Sequence, residues 1–322
     1  MLHFIIKASL LLTISAISAI SAISFADQQN RVAPITAGGM KPVIVTTTSL
    51  MRDLVTHLCG SDVDVESLMG PGTDPHLYKV TPGDIRKLAR ADIIIYHGLH
   101  LEGRMAEALE SYAKRKLTIP ATEVIAKNNL RLSAEGIPDP HVWFDVSLWR
   151  TVTLELAKTL AKALPELETR ILKAGDNYAA KLGALDEEIL ARIKTIPESQ
   201  RVLITAHDAF GYFGKRYNIK VLGVQGVSTD SEAGLRHVQE LIDLIVASRI
   251  KAVFMETSVG ERSVRALVDG AASRGQQVAL SGPLYSDALG ESGTAAADFA
   301  GMIRHNVNTI VAALGGKVSD AN

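Results

Sequence analysis

The 322-residue sequence predicts an α/β protein of two βα lobes with parallel-type sheets, joined by one long backbone helix. Strand-like and helix-like patterns alternate through residues 42–164, the predicted N-terminal lobe. A second alternating series occupies residues 198–318, the predicted C-terminal lobe, and residues 165–197 between them have continuous helical periodicity. Strands and helices that alternate at these intervals form βαβ units, which place the strands parallel.

Residues 1–26 are predicted to be a cleavable signal peptide. Lys7 precedes an apolar run, and Ser24-Phe25-Ala26 supplies a small-residue cleavage site before Asp27. A membrane anchor is the alternative, but serines interrupt the run, whereas a spanning helix needs about 20 apolar residues. Residues 27–41 are predicted to be a disordered leader. We therefore expect export to the periplasm, without a lipid anchor because no cysteine lies near the cleavage site.

The first lobe is predicted to alternate four strands with four helices. The β-branched run at 43–48 indicates a buried strand. Thr81-Pro82-Gly83-Asp84 has the form of a capping box with proline in the first turn, so a helix is expected from there to residue 90. Apolar spacing predicts the remaining strands at 63–69, 92–96 and 117–119, and the remaining helices at 50–58, 101–114 and 147–164.

The segment that follows is the longest periodic one in the chain. At 1.5 Å per residue, its roughly 32 residues would span about 48 Å, more than one lobe needs for its own packing. We interpret it as a helix running between the lobes, and Gly175 and Gly183 leave a helix-turn-helix as the alternative. The second lobe is predicted to contain strands 202–206, 221–224, 252–255 and 277–280, and helices 210–217, 231–248, 261–274 and 296–314.

Composition excludes some functions. The 34 Lys and Arg residues nearly balance the 35 Asp and Glu residues, so no excess charge favours nucleic acid or an anionic membrane surface. Cys59 is the only cysteine, so an intramolecular disulfide is impossible and a small buried or near-surface residue is expected.

Four loops carry the candidate site, and each follows a predicted strand or an extended approach. They hold His76, His141, His207 and Asp287. In open parallel sheets, ligands collect beyond the carboxyl ends of the strands, so these side chains are expected to converge on one divalent transition metal. Of the other histidines, His57, His237 and His305 are interpreted as residues of helix surfaces or ends. For His97 and His100, we expect hydrogen bonding within a loop, with support of a metal ligand as the alternative.

Three imidazoles and one carboxylate suit a borderline divalent ion. Neutral imidazole nitrogen binds zinc and the late first-row metals well, and a carboxylate adds charge compensation. Binding through one carboxylate oxygen predicts a tetrahedral, zinc-like site, whereas two oxygens would give five contacts, which suit manganese or iron. Calcium and magnesium are disfavoured because they prefer all-oxygen shells. Since imidazoles bind metal only when deprotonated, affinity is expected to fall below pH ~6.

Five sequence blocks together resemble the substrate-binding proteins of zinc, manganese and iron ABC importers. The likeness covers about residues 42–315, is of the cluster A-I type that includes TroA and ZnuA, and is strongest to the TroA branch. Five blocks in the same order are far more specific than any one of them. The blocks are Gly-Pro-Gly-Thr-Asp-Pro-His-Leu-Tyr at 70–78, Gly-Leu-His-Leu-Glu at 98–102, Asp-Pro-His-Val-Trp-Phe-Asp at 139–145, Thr-Ala-His-Asp-Ala-Phe-Gly-Tyr-Phe at 205–213 and Gln-Gly-Val-Ser-Thr at 225–229.

The resemblance implies a non-enzymatic, monomeric protein that captures a metal ion between its lobes and delivers it to a membrane permease. It implies His76 and His141 as ligands from the first lobe, and His207 and Asp287 from the second. Manganese-dedicated relatives often have Glu at the third position, where this chain has His207. Zinc-dedicated relatives often carry a His-rich loop, which this chain lacks. The expected cargo is therefore zinc or manganese, with iron(II) as a third candidate.

Three other functions are weighed against this one. A zinc hydrolase with Glu256 or Asp208 as its general base is disfavoured because Asp287 would fill the open coordination position and the chain lacks a His-Glu-x-x-His motif. Glu256 is better interpreted as a carboxylate that caps a loop or stabilises a lobe. A surface adhesin of the same fold has no support among the residues. Capture of a chelated metal conflicts with four protein ligands that already saturate one ion.

Overall fold

The computed structural model describes Ile35, residues 40–133 and residues 136–317. The predicted signal peptide and all but Ile35, Met40 and Lys41 of the predicted leader lie outside the described residues. Within the described ranges, no helix is both long and apolar enough to span a membrane.

The first lobe is a four-stranded parallel sheet with the strand order β2-β1-β3-β4. Local signals explain its helices: Thr81 accepts a hydrogen bond from the backbone N–H of Asp84, and the Asp84 carboxylate accepts one from the N–H of Thr81, which confirms the predicted capping box. The elements are β1 (Val43–Thr46), α1 (Ser49–Cys59), β2 (Asp64–Ser67), α2 (Pro82–Arg90), β3 (Ile93–Tyr96), α3 (Ala106–Ala113), β4 (Leu117–Pro120) and α4 (Val146–Ala163).

The second lobe repeats this architecture with the strand order β6-β5-β7-β8, again entirely parallel. In both lobes the first strand in sequence lies between two other strands. Because all the strands are parallel, their carboxyl ends lie at the same edge of the sheet. The elements are β5 (Val202–His207), α6 (Gly211–Tyr217), β6 (Lys220–Gln225), α7 (Leu235–Ala247), β7 (Ala252–Glu256), α8 (Arg262–Ser273), β8 (Ala279–Leu284) and α9 (Phe299–Ala313).

A single helix, α5 (Glu168–Ile193), connects the lobes. Its 26 residues are unbroken, so the helix-turn-helix alternative is wrong; at 1.5 Å per residue it is about 39 Å long. It packs against α1 and α4 of the first lobe and against α9 of the second. Gly175 allows the close approach of α4, because a Cβ atom at that position would lie 2.8 Å from the Cβ of Ala157. The exact lobe boundaries at 164, 197 and 318 stay predictions, and residue 318 lies outside the described residues.

The lobes are also joined by a hydrophobic core that runs through both of them. Phe144 stacks on Phe210 with ring centroids 4.2 Å apart, and Trp149 stacks on Phe299 at 5.5 Å. Each pair takes one ring from each lobe, and all four rings are fully buried. Buried aromatic pairs contribute beyond their buried area, so this interface adds a second rigid connection beside α5.

Several predicted elements have different bounds in the structure. The predicted helix 101–114 opens as a 3-10 turn at Gly103–Met105, and the predicted helix 231–248 begins only at Leu235. Strand β8 begins two residues later than predicted and continues through Gly282 and Pro283 to Leu284. Proline is tolerated there because β8 is an edge strand, which needs fewer backbone N–H donors than a central one.

Candidate metal centre

The structure brings the four predicted side chains together in the seam between the lobes. One candidate ligand atom from each lies within 4.8 Å of the other three. His207 is the last residue of β5, Asp287 follows β8, and His76 lies in the loop after β2. His141 follows no strand of either sheet; an isolated antiparallel bridge between Leu132 and Pro138 precedes it. All four side chains are buried, the most exposed being His76 at 3%.

Four of the separations between these atoms are close to the edge length of a tetrahedral metal site, and all of the donor atoms lie within 4.8 Å of one another. The Nε2 atom of His141 lies 3.3 Å from Nε2 of His76, 3.4 Å from Nε2 of His207 and 3.4 Å from Oδ1 of Asp287. Nε2 of His207 lies 3.5 Å from Oδ2 of Asp287. A tetrahedron with metal–ligand bonds of about 2.0–2.1 Å has edges of about 3.3–3.4 Å. Both oxygens of Asp287 face the centre, so a fifth contact is sterically available.

Two buried carboxylates fix the orientation of two of the histidines. Glu256 accepts hydrogen bonds from the backbone N–H of His207 at 2.9 Å and from its Nδ1–H at 2.6 Å. Asp139 does the same for His141, at 2.9 and 2.8 Å. Because each Nδ1 atom donates to a carboxylate, each neutral ring presents the lone pair of Nε2 to the centre. Glu256 is therefore committed to His207, which leaves the hydrolase alternative without that general base.

The support that Asp139 gives to His141 could have been predicted from a repeated motif in the sequence. Asp-Pro-His occurs twice, at 74–76 and 139–141. In both copies the aspartate Oδ1 accepts the backbone N–H of the histidine two residues later, at 2.9 Å. The motif therefore stiffens the loop that carries each candidate ligand of the first lobe, His76 and His141.

The electrostatics of the site favour a cation. Oδ1 of Asp287 is buried and has no hydrogen-bond partner among the described residues, while Ser258 donates to Oδ2 at 2.9 Å. Burial would raise the pKa of Asp287, but His207 and His141 hold that pKa well below its usual range. Burial lowers the pKa of His76 to about 3, so its ring stays neutral. A carboxylate held ionised beside a neutral imidazole fits a site for positive charge.

The carboxylates around the site also raise the pKa values of two of its histidines. Burial opposes protonation of His141 and His207, but the pKa of His141 is raised by Asp139 and Asp287, and that of His207 well above its usual value by Glu256 and Asp287. A metal ion that binds these rings must therefore displace protons held more tightly than in water.

The remaining histidines stay outside this cluster. Nε2 of His97 lies 3.1 Å from the Thr48 hydroxyl, and its ring packs between Trp143 and Trp149. This agrees with the expected hydrogen-bonding role. His100 is exposed beside the cleft, His57 and His237 are exposed on helices, and His305 is half-buried.

A cleft of about 960 Å³ leads from solvent to His76. Two polar contacts join the lobes near it: the Thr229 hydroxyl donates to Asp74 Oδ2 at 2.6 Å, and Arg104 pairs with Asp230 at 2.6 Å. These contacts hold Thr229 and Asp230 in a turn after β6, and α7 begins beyond that turn, later than predicted. Because each contact joins a side chain of one lobe to a side chain of the other, the position of part of the cleft wall depends on both lobes.

Known proteins share this architecture. The family model described as "Zinc-uptake complex component A periplasmic" (ZnuA) matches residues 44–313. The chain is 48% identical over 272 residues to the manganese-binding lipoprotein MntA of Bacillus subtilis (strain 168), which covers 84% of this chain and 89% of MntA. It is 42% identical over 275 residues to the zinc-binding protein TroA of Treponema pallidum (strain Nichols), 85% of this chain and 89% of TroA.

Solved structures agree with the sequence matches. The periplasmic zinc-binding protein TroA from Treponema pallidum superimposes with a TM-score of 0.83 and 41% identity, over 85% of this chain and 99% of that one. The Fe(III)-bound YtgA from Chlamydia trachomatis superimposes with a TM-score of 0.79 and 27% identity, over 87% of this chain and 100% of that one. Together with the two-lobe fold and its buried cluster of three histidines and an aspartate, these matches show that the chain belongs to the ZnuA family of metal-binding, non-enzymatic components of ABC uptake systems.

Proposed function

We propose that this protein captures one zinc or manganese ion in the periplasm through His76, His141, His207 and Asp287, and delivers it to the permease of an ABC importer. The convergence of four buried donor atoms within 4.8 Å of one another carries this proposal. The relatives differ in the metals their names give, manganese for MntA and zinc for TroA. Iron is a third candidate, because the chain is also similar to the Fe(III)-bound YtgA.

The donor set itself favours zinc in a four-coordinate site. Manganese is served if Asp287 binds through both oxygens, since it accepts more contacts and more oxygen ligands than zinc. The Ser258 hydroxyl donates to Oδ2 of Asp287 and therefore competes with the ion for that oxygen. Replacing Ser258 by Ala tests this point: manganese affinity is expected to rise relative to zinc affinity.

The lobes and their connection suggest a small motion on binding. A ligand shifts a conformational equilibrium only by its differential affinity for the two states. The unbroken α5 and the shared aromatic core both resist wide opening. We therefore expect the loaded protein to differ from the metal-free protein by a small closure of the cleft, which a permease would recognise.

The test combines metal analysis with removal of single ligands. Protein purified from its native periplasm without added metal is analysed for bound elements, and the stripped protein is titrated with zinc and manganese. His76→Ala, His141→Ala and Asp287→Ala should each weaken binding strongly while the metal-free protein stays folded. His237→Ala, an exposed histidine on α7, serves as the matched control. Unchanged titrations for all three variants would refute the assignment.

A further inference from the structure

Arg131 lies between two loops that carry candidate ligands from different lobes. Its Nη1 atom donates to Oδ2 of Asp139 at 2.7 Å, and its Nη2 atom lies 3.9 Å from Oδ2 of Asp208. Asp139 precedes His141 by two residues and Asp208 directly follows His207. One guanidinium thus contacts an acidic neighbour of each of these histidines, although it contacts neither histidine itself.

On the first-lobe side, Arg131 holds the carboxylate that orients His141. The two oxygens of Asp139 are divided: Oδ2 accepts from Arg131, and Oδ1 accepts from the backbone N–H and Nδ1–H of His141. Asp139 is only 1% exposed, so water cannot replace a lost partner. Without the guanidinium, this carboxylate would keep one fixed oxygen and would be free to rotate about it.

On the second-lobe side, Arg131 packs against the start of α6. Its guanidinium carbon lies 5.7 Å from the ring centroid of Tyr212, and its backbone N–H donates to the Tyr212 hydroxyl at 2.9 Å. That hydroxyl donates in turn to the backbone carbonyl of Asp139 at 3.2 Å. The same tyrosine, 1% exposed, therefore contacts Arg131 twice and ties the segment after His207 to the segment before His141.

Gly211 provides the space for this arrangement. A Cβ atom at Gly211 would lie 1.0 Å from Nη1 of Arg131 and 1.9 Å from its guanidinium carbon. Any side chain there must displace the guanidinium, and with it the hydrogen bond to Asp139. Gly211 is the first residue of α6 and has an ordinary helical backbone, so its conformation does not require glycine. The close approach of Arg131 is the reason that a side chain does not fit there.

We propose that Arg131 is a positioning residue that sets the His141–His207 edge of the metal site, and that Gly211 is required to admit its guanidinium. This inference rests on the proposed metal-binding function. The edge in question is the 3.4 Å separation between the two Nε2 atoms, one from each lobe. Arg131 controls it by holding Asp139, which orients the first ring, and by packing on the segment that follows the second.

Three variants test the inference by different routes. Arg131→Met removes the charge and the donors at similar length, Arg131→Lys keeps the charge but not the planar fork, and Gly211→Ala displaces the guanidinium without changing it. Arg265→Met is the matched arginine control, because Arg265 lies on α8, an element that contributes no residue to the site, and pairs with Glu261 just before that helix. Gly183→Ala is the glycine control, since a Cβ atom there would meet none of the described residues within 4 Å.

Each purified protein is stripped of metal, titrated with Zn²⁺ against a competing chelator, and loaded with Co²⁺ for its visible absorption spectrum. Arg131→Met and Gly211→Ala are expected to weaken zinc binding by up to about tenfold, the lower end of the effect of losing a direct partner of a ligand, because Arg131 acts through Asp139. Both should also change the position or intensity of the Co²⁺ bands, which report ligand geometry. Arg131→Lys should fall between these variants and the wild-type protein, and both controls should match the wild-type protein.

Two results would overturn the inference. One is unchanged zinc affinity and Co²⁺ spectrum in Arg131→Met and Gly211→Ala. The other is weaker binding with an unchanged Co²⁺ spectrum and a proportionally lower unfolding temperature of the metal-free protein, which would show a purely structural role. If Arg131→Met does not fold, Gly211→Ala and Arg131→Lys decide by the same criteria. A wild-type protein that binds neither Zn²⁺ nor Co²⁺ would instead refute the proposed function.

Discussion

Replacing Glu256 by Gln should weaken zinc binding while leaving the fold intact. The side chain of Glu256 is fully buried, and its carboxylate accepts two hydrogen bonds from His207, one from the backbone N–H and one from Nδ1–H. A glutamine of the same shape offers one oxygen and one NH₂ group. In the metal-free protein, the NH₂ group can donate to Nδ1, and the imidazole proton then moves to Nε2.

The cost of this change appears when metal binds. Zinc requires the Nε2 lone pair of His207, so the proton must return to Nδ1, where it faces the NH₂ group of glutamine. If the amide flips instead, the NH₂ group faces the backbone N–H of His207. Either way one buried donor loses its partner, which costs about 1.5–3 kcal/mol for a hydrogen bond to a charged group. At about 1.4 kcal/mol per factor of ten, the dissociation constant should rise about ten- to a hundredfold.

Competitive zinc titration against a chelator of known affinity measures this effect, and thermal unfolding of the metal-free protein checks the fold. Glu261→Gln is the control, because Glu261 is an exposed glutamate at the start of α8. A Glu256→Gln protein that is folded and binds zinc within about twofold of the wild-type protein would refute the argument that this carboxylate sets the tautomer of His207.

Three further predictions follow from individual contacts. Because the pKa values of His141 and His207 are raised in the metal-free protein, protons compete with zinc at a higher pH than they would for an ordinary histidine. As the pH is lowered, zinc affinity should therefore start to fall before the ordinary histidine pKa of about 6.5 is reached. Isothermal titration between pH 5 and 8 measures this, and a fall that starts only below pH ~6 would contradict it. Thr229→Val removes the hydrogen bond to Asp74 between the lobes and should speed zinc dissociation several-fold in stopped-flow measurements, whereas a rate equal to that of the wild-type protein would show that this contact does not restrain the cleft. Burial raises the pKa of the Cys59 thiol to about 12, so iodoacetamide at pH 8 should label it only after unfolding, and mass spectrometry of the native protein would reveal any exception.

Features with local causes were predictable from the sequence. The capping box of Thr81 and Asp84 and the buried run of β1 depend on residues within one turn or one strand, and both are present in the structure. The four candidate ligands also lie in one cluster, as expected, because three of their loops follow strands of the sheets and all four belong to motifs of a recognisable family.

Features that depend on distant pairs were not predictable in this way. Asp74 and Thr229 lie 155 positions apart, and Arg131 and Tyr212 lie 81 apart, so no local pattern connects them. The late start of α7 and the passage of β8 through Pro283 have the same origin. In both cases contacts with other parts of the chain outweigh the local preference of the residues.

On the proposed function, the equal division of the four candidate ligands between the lobes has a consequence for release. An ion held by two donors from each side is bound as a four-point chelate, and each donor raises the effective concentration of the next. Metal–ligand bonds tolerate deviations of only about 0.2 Å, so a shift of about 1 Å across the seam breaks two of them together. A permease that separates the two lobes slightly would then take up an ion held by two donors instead of four. Tight retention before delivery and rapid hand-over to a permease are therefore compatible without any stronger competing chelator.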